Sequence, residues 1–416
     1  MKTVFRICVL VILIDPPSMP ALEKPQDPKR AGSQSFAKVE QTKGRAILNI
    51  NNFTTWLTAD GQGQNPPNGS FNGSRFPRNT TNPIFADGFV WGGKCYLDSA
   101  KAHPVPSQPI RVGGSTYTVG NTVGWINGIG ANATPVSNSD ARARIYRIRR
   151  DYMAMSVTEL KRDGMDNYQY SSLNQVTQGD IDAVKAQYAT DWDQWPTDLG
   201  APYIERNGIP GYQKPPSFDA FFTLESLVDG NYDEPGVAGS DLSYPADEVV
   251  WTVFNDLTRT STVNFSGSEP MGLEGQITLW GYKRTDAFAS VYFKRLKLIN
   301  KGGTVVDSTG KRSLYVDSMY VCQWSDEDLG SLNDDLVGCD SLKSLAFAYN
   351  GEATDKSYFA FDLPPPSIGY DILSGPIVAS PGDTALFDLK HRLDFKNLGM
   401  SSFCWWVTVM CLMKVD

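Results

Sequence analysis

The sequence predicts a mainly β protein with a helical insert, an α+β chain built on a β-sandwich-like core. Three observations lead there. Short runs rich in Val, Ile, Tyr, Phe and Trp recur between Gly, Pro and Asn turn signals, as strands joined by tight turns require. Gly (37) and Pro (26) are frequent enough to supply many turns. Helical spacing is confined to one block, residues 140–200.

In chain order, residues 1–21 read as an export signal peptide. Lys2 and Arg6 precede or open an apolar run, 7–14, and Pro16, Pro17 and Pro20 follow it. That run is too short to cross a bilayer as a helix. Residues 22–45 are polar and rich in Pro and Lys, as a flexible leader would be. Residues 46–139 form a loop-rich β region, with strands expected at 47–50, 89–91 and 117–119. Asn-x-Ser/Thr triplets begin at Asn52, Asn68, Asn72, Asn79, Asn132 and Asn264. They would accept glycans only on a eukaryotic secretory route.

In the helical block, Thr177 and Asp180 frame a capping box. Ile181, Val184, Tyr188 and Trp192 then share one helix face. Upstream, residues 141–150 carry five Arg, while Ile145, Ile148, Tyr152 and Met155 fall at helical spacing. This places the arginines on a solvated or ion-paired helix face. Residues 201–365 are expected to be a β-sandwich domain, with strands at 249–254, 276–280, 290–293, 314–316, 319–322 and 345–349. Gly302-Gly303 and Asn350-Gly351 mark turns. Residues 366–416 look like an incomplete C-terminal β segment, and the apolar run 403–413 has the length of a buried strand, or of a chain that stops inside a larger domain.

The chemistry concentrates at 324–340. Asp326, Glu327, Asp328, Asp334, Asp335 and Asp340 lie there with no Lys or Arg among them. Gly330 and Gly338 let the backbone curl, so carboxylates and carbonyls can converge on one hard cation. Asp326, Asp328, Asp334, Asp335 and Asp340 are therefore the expected ligands, and calcium the expected ion. The alternative is a solvated acidic turn. A second, ligand-poorer loop holds Asp229, Asn231, Asp233 and Glu234. Cys322 and Cys339 bracket the first loop; a bridge between them would close it, and two free thiols are the alternative.

Other functions find less support. A net charge of −8 and a low isoelectric point near 5.0 argue against nucleic acid as a partner. There are two His, His103 and His391, so multi-histidine metal sites are excluded. No nucleophile elbow, P-loop or dinucleotide fingerprint is present. Glu274 and Asp326 are the carboxylate pair a glycosidase would need. Trp251, Trp280, Tyr282, Tyr292 and Trp324 are the rings a carbohydrate-binding face would stack on sugars, and the alternative is that they fill the core.

A resemblance adds to this reading. Its motifs are Trp-Pro-Thr-Asp-Leu-Gly-Ala-Pro-Tyr at 195–203, Val-Trp-Thr-Val-Phe-Asn-Asp at 250–256 and Gly-Leu-Glu-Gly-Gln-Ile-Thr-Leu-Trp-Gly at 272–281. Asp-Ser-Met-Tyr-Val-Cys-Gln-Trp-Ser-Asp at 317–326, Asp-Asp-Leu-Val-Gly-Cys-Asp at 334–340 and Gly-Tyr-Asp-Ile-Leu-Ser-Gly-Pro at 369–376 complete the set. In this order, across roughly 45–400, they resemble the N-terminal region of large bacterial surface proteins exported by the type IX secretion route. The resemblance implies a secreted or cell-surface protein; a non-enzymatic structural or adhesion type is expected, with extracellular polysaccharide or cell-surface components as partners, and a carbohydrate-binding module or a secreted hydrolase as the alternatives. Members continue into further β-sandwich modules and a sorting domain. This sequence ends at Asp416 without a recognisable sorting domain, so a truncated chain is expected.

Overall fold

The computed structural model describes residues 4–14 (backbone alone), 44–66, 73–202, 204, 246–308, 310–331, 334–387 and 390–405. The fold is mainly β with two substantial helices inserted, and every strand pairing is antiparallel. The main strands, in chain order, are β1 (Val4–Ile14), β2 (Arg45–Leu48), β3 (Thr55–Thr58), β4 (Ala86–Tyr96), β5 (Ile110–Gly114), β6 (Thr122–Val123) and β7 (Tyr146–Arg149). Then come β8 (Glu248–Asn255), β9 (Leu273–Gly281), β10 (Val291–Asn300), β11 (Tyr315–Asp326), β12 (Asp335–Asp340), β13 (Leu345–Asn350) and β14 (Ser367–Ser374). A hairpin of β15 (Ile377–Phe387) and β16 (Lys390–Asn397) follows.

The large sheet runs β12-β13-β14-β1-β10-β9-β8-β6, with β7 also paired to β8. A smaller sheet, β11-β4-β5, faces it. Between them lies the main core. Phe89, Trp91 and Cys95 of β4 meet Val250, Phe254, Ile277, Leu279, Tyr292, Leu296, Ile368 and Tyr370 of the large sheet. Period-2 alternation explains how one strand serves two cores. Val250 and Phe254 of β8 point into this core; Val249, Trp251 and Val253 point the other way, into a second core with Trp192, Trp195, Trp280 and Phe293. Each such side chain, fully buried, contributes about 1.5–3 kcal/mol.

Residues of both expected regions, 46–139 and 201–365, supply this one main core. The strands expected at 249–254, 276–280 and 345–349 are present, and those at 314–316 and 319–322 join into one, β11. At 117–119 there is only an isolated bridge from Val119 to Ser115. The C-terminal segment supplies β14 to the large sheet. Residues 4–14, read as a signal, are held as a strand between β10 and β14.

The helical block contains α1 (Val157–Asn167) and α2 (Gln178–Asp193). The capping box of α2 forms: Thr177 accepts from the Asp180 amide while Asp180 accepts from the Thr177 amide. Ile181, Val184 and Tyr188 face α1 in a third small core. The arginine run departs from its expected helix. It forms β7, paired from Tyr146↔Trp251 to Arg149↔Glu248. Ile145 enters the main core while Tyr146 and Ile148 enter the second, a two-sided burial that suits a strand. Two of its arginines are buried in ion pairs, Arg144 on Asp191 at 2.5 Å and Arg147 on Asp163 at 3.0 Å, while Arg142 is exposed and paired with Asp198 at 2.6 Å.

Candidate functional site

The acidic stretch starts at the end of β11 and finishes at the end of β12, strands of different sheets. That topology separates the five expected ligands. Asp326 closes β11 and accepts from the Tyr117 hydroxyl at 2.7 Å. Asp340 sits at the far end of six-residue β12, about 16 Å from Asp335 at roughly 3.3 Å per residue. There it caps a turn through the amides of Leu342 and Lys343, with Lys343 Nζ 3.4 Å away. Asp340 therefore does not share a site with the others.

Asp328, Asp334 and Asp335 do stay near one another, and Asp355 joins them. Burial pushes the Asp335 carboxyl up to about 7 against the Leu329 amide bond, with the charges of Asp334, Asp328 and Asp355 adding to the rise. Burial, then Asp326, raises Asp328 to about 6. Asp334 spends one oxygen on Asn350 Nδ2 at 2.9 Å. Asp355 is 2 % exposed and caps a short helix, Lys356–Phe359, through Oδ1 and the amides of Ser357 and Tyr358. Asp335 Oδ1 and Asp355 Oδ2 are buried with no hydrogen-bond partner among the described residues. Gly330 makes the packing possible: a Cβ there would lie 2.1 Å from Asp355 Oδ1.

Oxygen donors of this kind are what calcium takes. Among the described residues, however, no three His, Cys, Asp or Glu side chains are gathered so as to hold a metal ion. The donor set as placed is two free carboxylate oxygens. Asp355 was outside the sequence-derived ligand set. An Asp before Lys-Ser-Tyr-Phe signals a helix cap, but not its approach to Asp335. The second loop, Asp229, Asn231, Asp233 and Glu234, lies outside the described residues.

Cys322 and Cys339 are separate exposed thiols, not a bridge. The reason is again that β11 and β12 belong to different sheets.

The sugar-stacking reading fails on its rings. Trp251, Trp280, Tyr282 and Tyr292 are core residues, and Trp324 is also buried, edge-on to Tyr117. They form no exposed platform. Glu274 is buried too, accepting from the Ile126 amide at 2.8 Å and from Gln276 Nε2 at 3.1 Å. Those bonds hold a loop, whereas Asp326 faces the Tyr117 side of β11. His103 is exposed and bonded to Asp98 at 3.0 Å.

Comparison of the chain with protein-family models, with curated proteins and with solved structures finds no match in any of the three. Among the described residues no helix is long and apolar enough to cross a membrane.

Proposed function

We propose that this chain is a non-enzymatic structural module of a secreted or cell-surface protein, stiffened by calcium at Asp335 and Asp355. The carrying observation is the pair of buried, unpartnered carboxylate oxygens in one acidic cluster. Leaving such atoms unpaired costs about 1–3 kcal/mol each, more when charged. A divalent cation would relieve both the lost bonds and the mutual repulsion. With two carboxylates, backbone oxygens and water would complete the shell, and affinity would fall in the 10⁻⁴–10⁻³ M order seen for extracellular modules. The leader-like N-terminus supports export, where calcium is plentiful. Extracellular polysaccharide or cell-surface components are the partners such a module would face.

The test is thermal melting of the chain in millimolar calcium and in EGTA, with magnesium as control. Calcium should raise Tm because it binds the folded state in preference to the unfolded one. Asp355→Asn should abolish the rise. An identical Tm in all three solutions would remove the calcium reading and leave the cluster a partly protonated acidic turn.

A further inference from the structure

An ion pair, Lys294 with Asp87, sits inside the main core. Period-2 alternation puts Lys294 on the same face of β10 as Tyr292, Leu296 and Leu298, and Asp87 on the same face of β4 as Phe89 and Trp91. The two strands belong to opposite sheets, and the two residues are 207 positions apart. Lys294 Nζ lies 2.9 Å from Asp87 Oδ2, and each side chain is 1 % exposed. The Phe89 ring stands 4.8 Å from the Lys294 nitrogen. Gly63 covers the carboxyl: its amide donates to the Asp87 carbonyl at 2.8 Å, and a Cβ there would lie 1.4 Å from Asp87 Oδ1. The pair is poorly satisfied. Asp87 Oδ1 is buried with no hydrogen-bond partner among the described residues. Glu248, beside Arg147, instead has a donor on each oxygen. Buried ions need such further bonds to offset the loss of water, and this pair lacks them.

We propose that Lys294 Nζ and Asp87 Cγ condense to an amide, a covalent tie between β10 and β4 across the core. The step needs no co-reactant. One proton passes from the Lys294 ammonium to the Asp87 carboxylate, leaving an amine beside a carboxylic acid. The nitrogen lone pair then attacks Cγ and the C–N bond forms. A second proton moves from nitrogen to the departing hydroxyl, the C–O bond breaks, and one water leaves. Two buried charges become one neutral amide, which removes the desolvation cost of both ions. The fold holds amine and carboxyl together, so the high effective concentration of a well-oriented intramolecular reaction drives the bond. Other cation–carboxylate pairs lack one of these conditions. Arg147 is as deeply buried, but a guanidinium does not give up its proton to become a nucleophile. Lys301 on Glu274 at 3.5 Å is 18 % exposed, and Lys283 on Asp151 at 2.8 Å is 49 % exposed, so water keeps both charged. The Lys294–Asp87 bond forms only after the two sheets have met, and so locks the finished fold. It depends on neither calcium nor export.

Mass spectrometry of the full chain, purified folded and kept reduced, reads the bond directly. The intact mass should fall short of the sequence mass by one water. Trypsin should fail to cut after Lys294 and should release a single fragment in which residues 79–94 are joined to residues 285–295. An intact mass equal to the sequence mass, with 79–94 and 285–294 released separately, would overturn the proposal and leave a buried ion pair. A succinimide at Asp87-Gly88 loses the same water but leaves 285–294 free, and that result overturns it as well. Lys294→Arg keeps the charge and cannot form the amide, so it should carry its full sequence mass. Asp87→Leu combined with Lys294→Met, which fills the site with apolar side chains, should do the same. A missing water in either variant would place the loss elsewhere and overturn the assignment. The wild-type fragments decide the matter even if neither variant folds.

Discussion

Arg147 Nε donates to Glu248 Oε1 at 2.7 Å, and neither side chain is more than 1 % exposed. The pair is the hub that fastens the helical insert to the large sheet. Arg147 also meets Asp163 of α1 at 3.0 Å and Asn49 Oδ1 at 2.8 Å, just beyond β2. Tyr188 of α2 donates to Asp163 at 2.7 Å, and the second Glu248 oxygen accepts the Asn49 amide at 3.0 Å. Every charge in this interior has a partner, which is the condition under which buried ions are tolerated.

Removing the cation alone should therefore be severe. Arg147→Met leaves Asp163 and Glu248 buried without their counter-ion, and should cost about 3–5 kcal/mol. Urea unfolding followed by tryptophan fluorescence measures it. A loss below about 1 kcal/mol would mean water or a neighbouring arginine replaces Arg147, as at exposed pairs.

Gly330 and Gly310 share a φ of +101° but not their surroundings. A Cβ at Gly330 meets Asp355 Oδ1 at 2.1 Å, whereas Gly310 has nothing within 4 Å. Both alanine variants bear the left-handed strain of about 1–3 kcal/mol. Gly330→Ala should lose more than Gly310→Ala, because it also forces the Asp355 cap aside. Equal urea midpoints would show that Asp355 moves freely, and so is not held against the Gly330 turn.

What could be read from the sequence divides along the same lines as what is local. The strands at 249–254 and 276–280 show in the sequence because alternating apolar residues need no distant partner to be recognised. The Thr177–Asp180 cap shows for the same reason. β7 does not: Arg147 is credible inside a strand only once Glu248, 101 residues away, is beside it. The acidic stretch was half legible. Charge density marks Asp328, Asp334 and Asp335, but the length of β12 carries Asp340 away, and only the tertiary fold brings Asp355 in.

Asp256 gathers a turn. Its Oδ2 accepts the Met271 amide at 2.8 Å, and its Oδ1 accepts the amides of Gly272 and Leu273 at 3.0 and 2.8 Å. Asp256→Asn keeps the shape but offers one acceptor oxygen where two are used. At least one buried N–H is orphaned, at a cost of about 1–3 kcal/mol. Faster hydrogen exchange at 271–273 should accompany the loss, and unchanged exchange there would count against this role.

The raised carboxyls give the fold an unusual pH dependence near neutrality. Burial, opposed by its three amide bonds, holds Asp256 at about 6; burial and like charge hold Asp328 at about 6 and Asp335 at about 7. In the unfolded chain an aspartate titrates near 3.9. Between about pH 4 and pH 7 the folded state therefore binds more protons than the unfolded state, and stability falls as pH rises through that window. The groups held low act elsewhere: burial notwithstanding, Arg147 keeps Asp163 below its ordinary value, and Lys283 and Ser156 bring Glu159 down to about 2, so their stabilisation is lost only below about pH 4. In EGTA, Tm should thus be higher at pH 5 than at pH 7.5, and Asp335→Asn should shrink the difference. Millimolar calcium should shrink it too, because a bound cation favours the ionised carboxylates that proton loss leaves repelling one another. A Tm that rises from pH 5 to pH 7.5 in EGTA would show that these carboxyls are not raised in the folded chain.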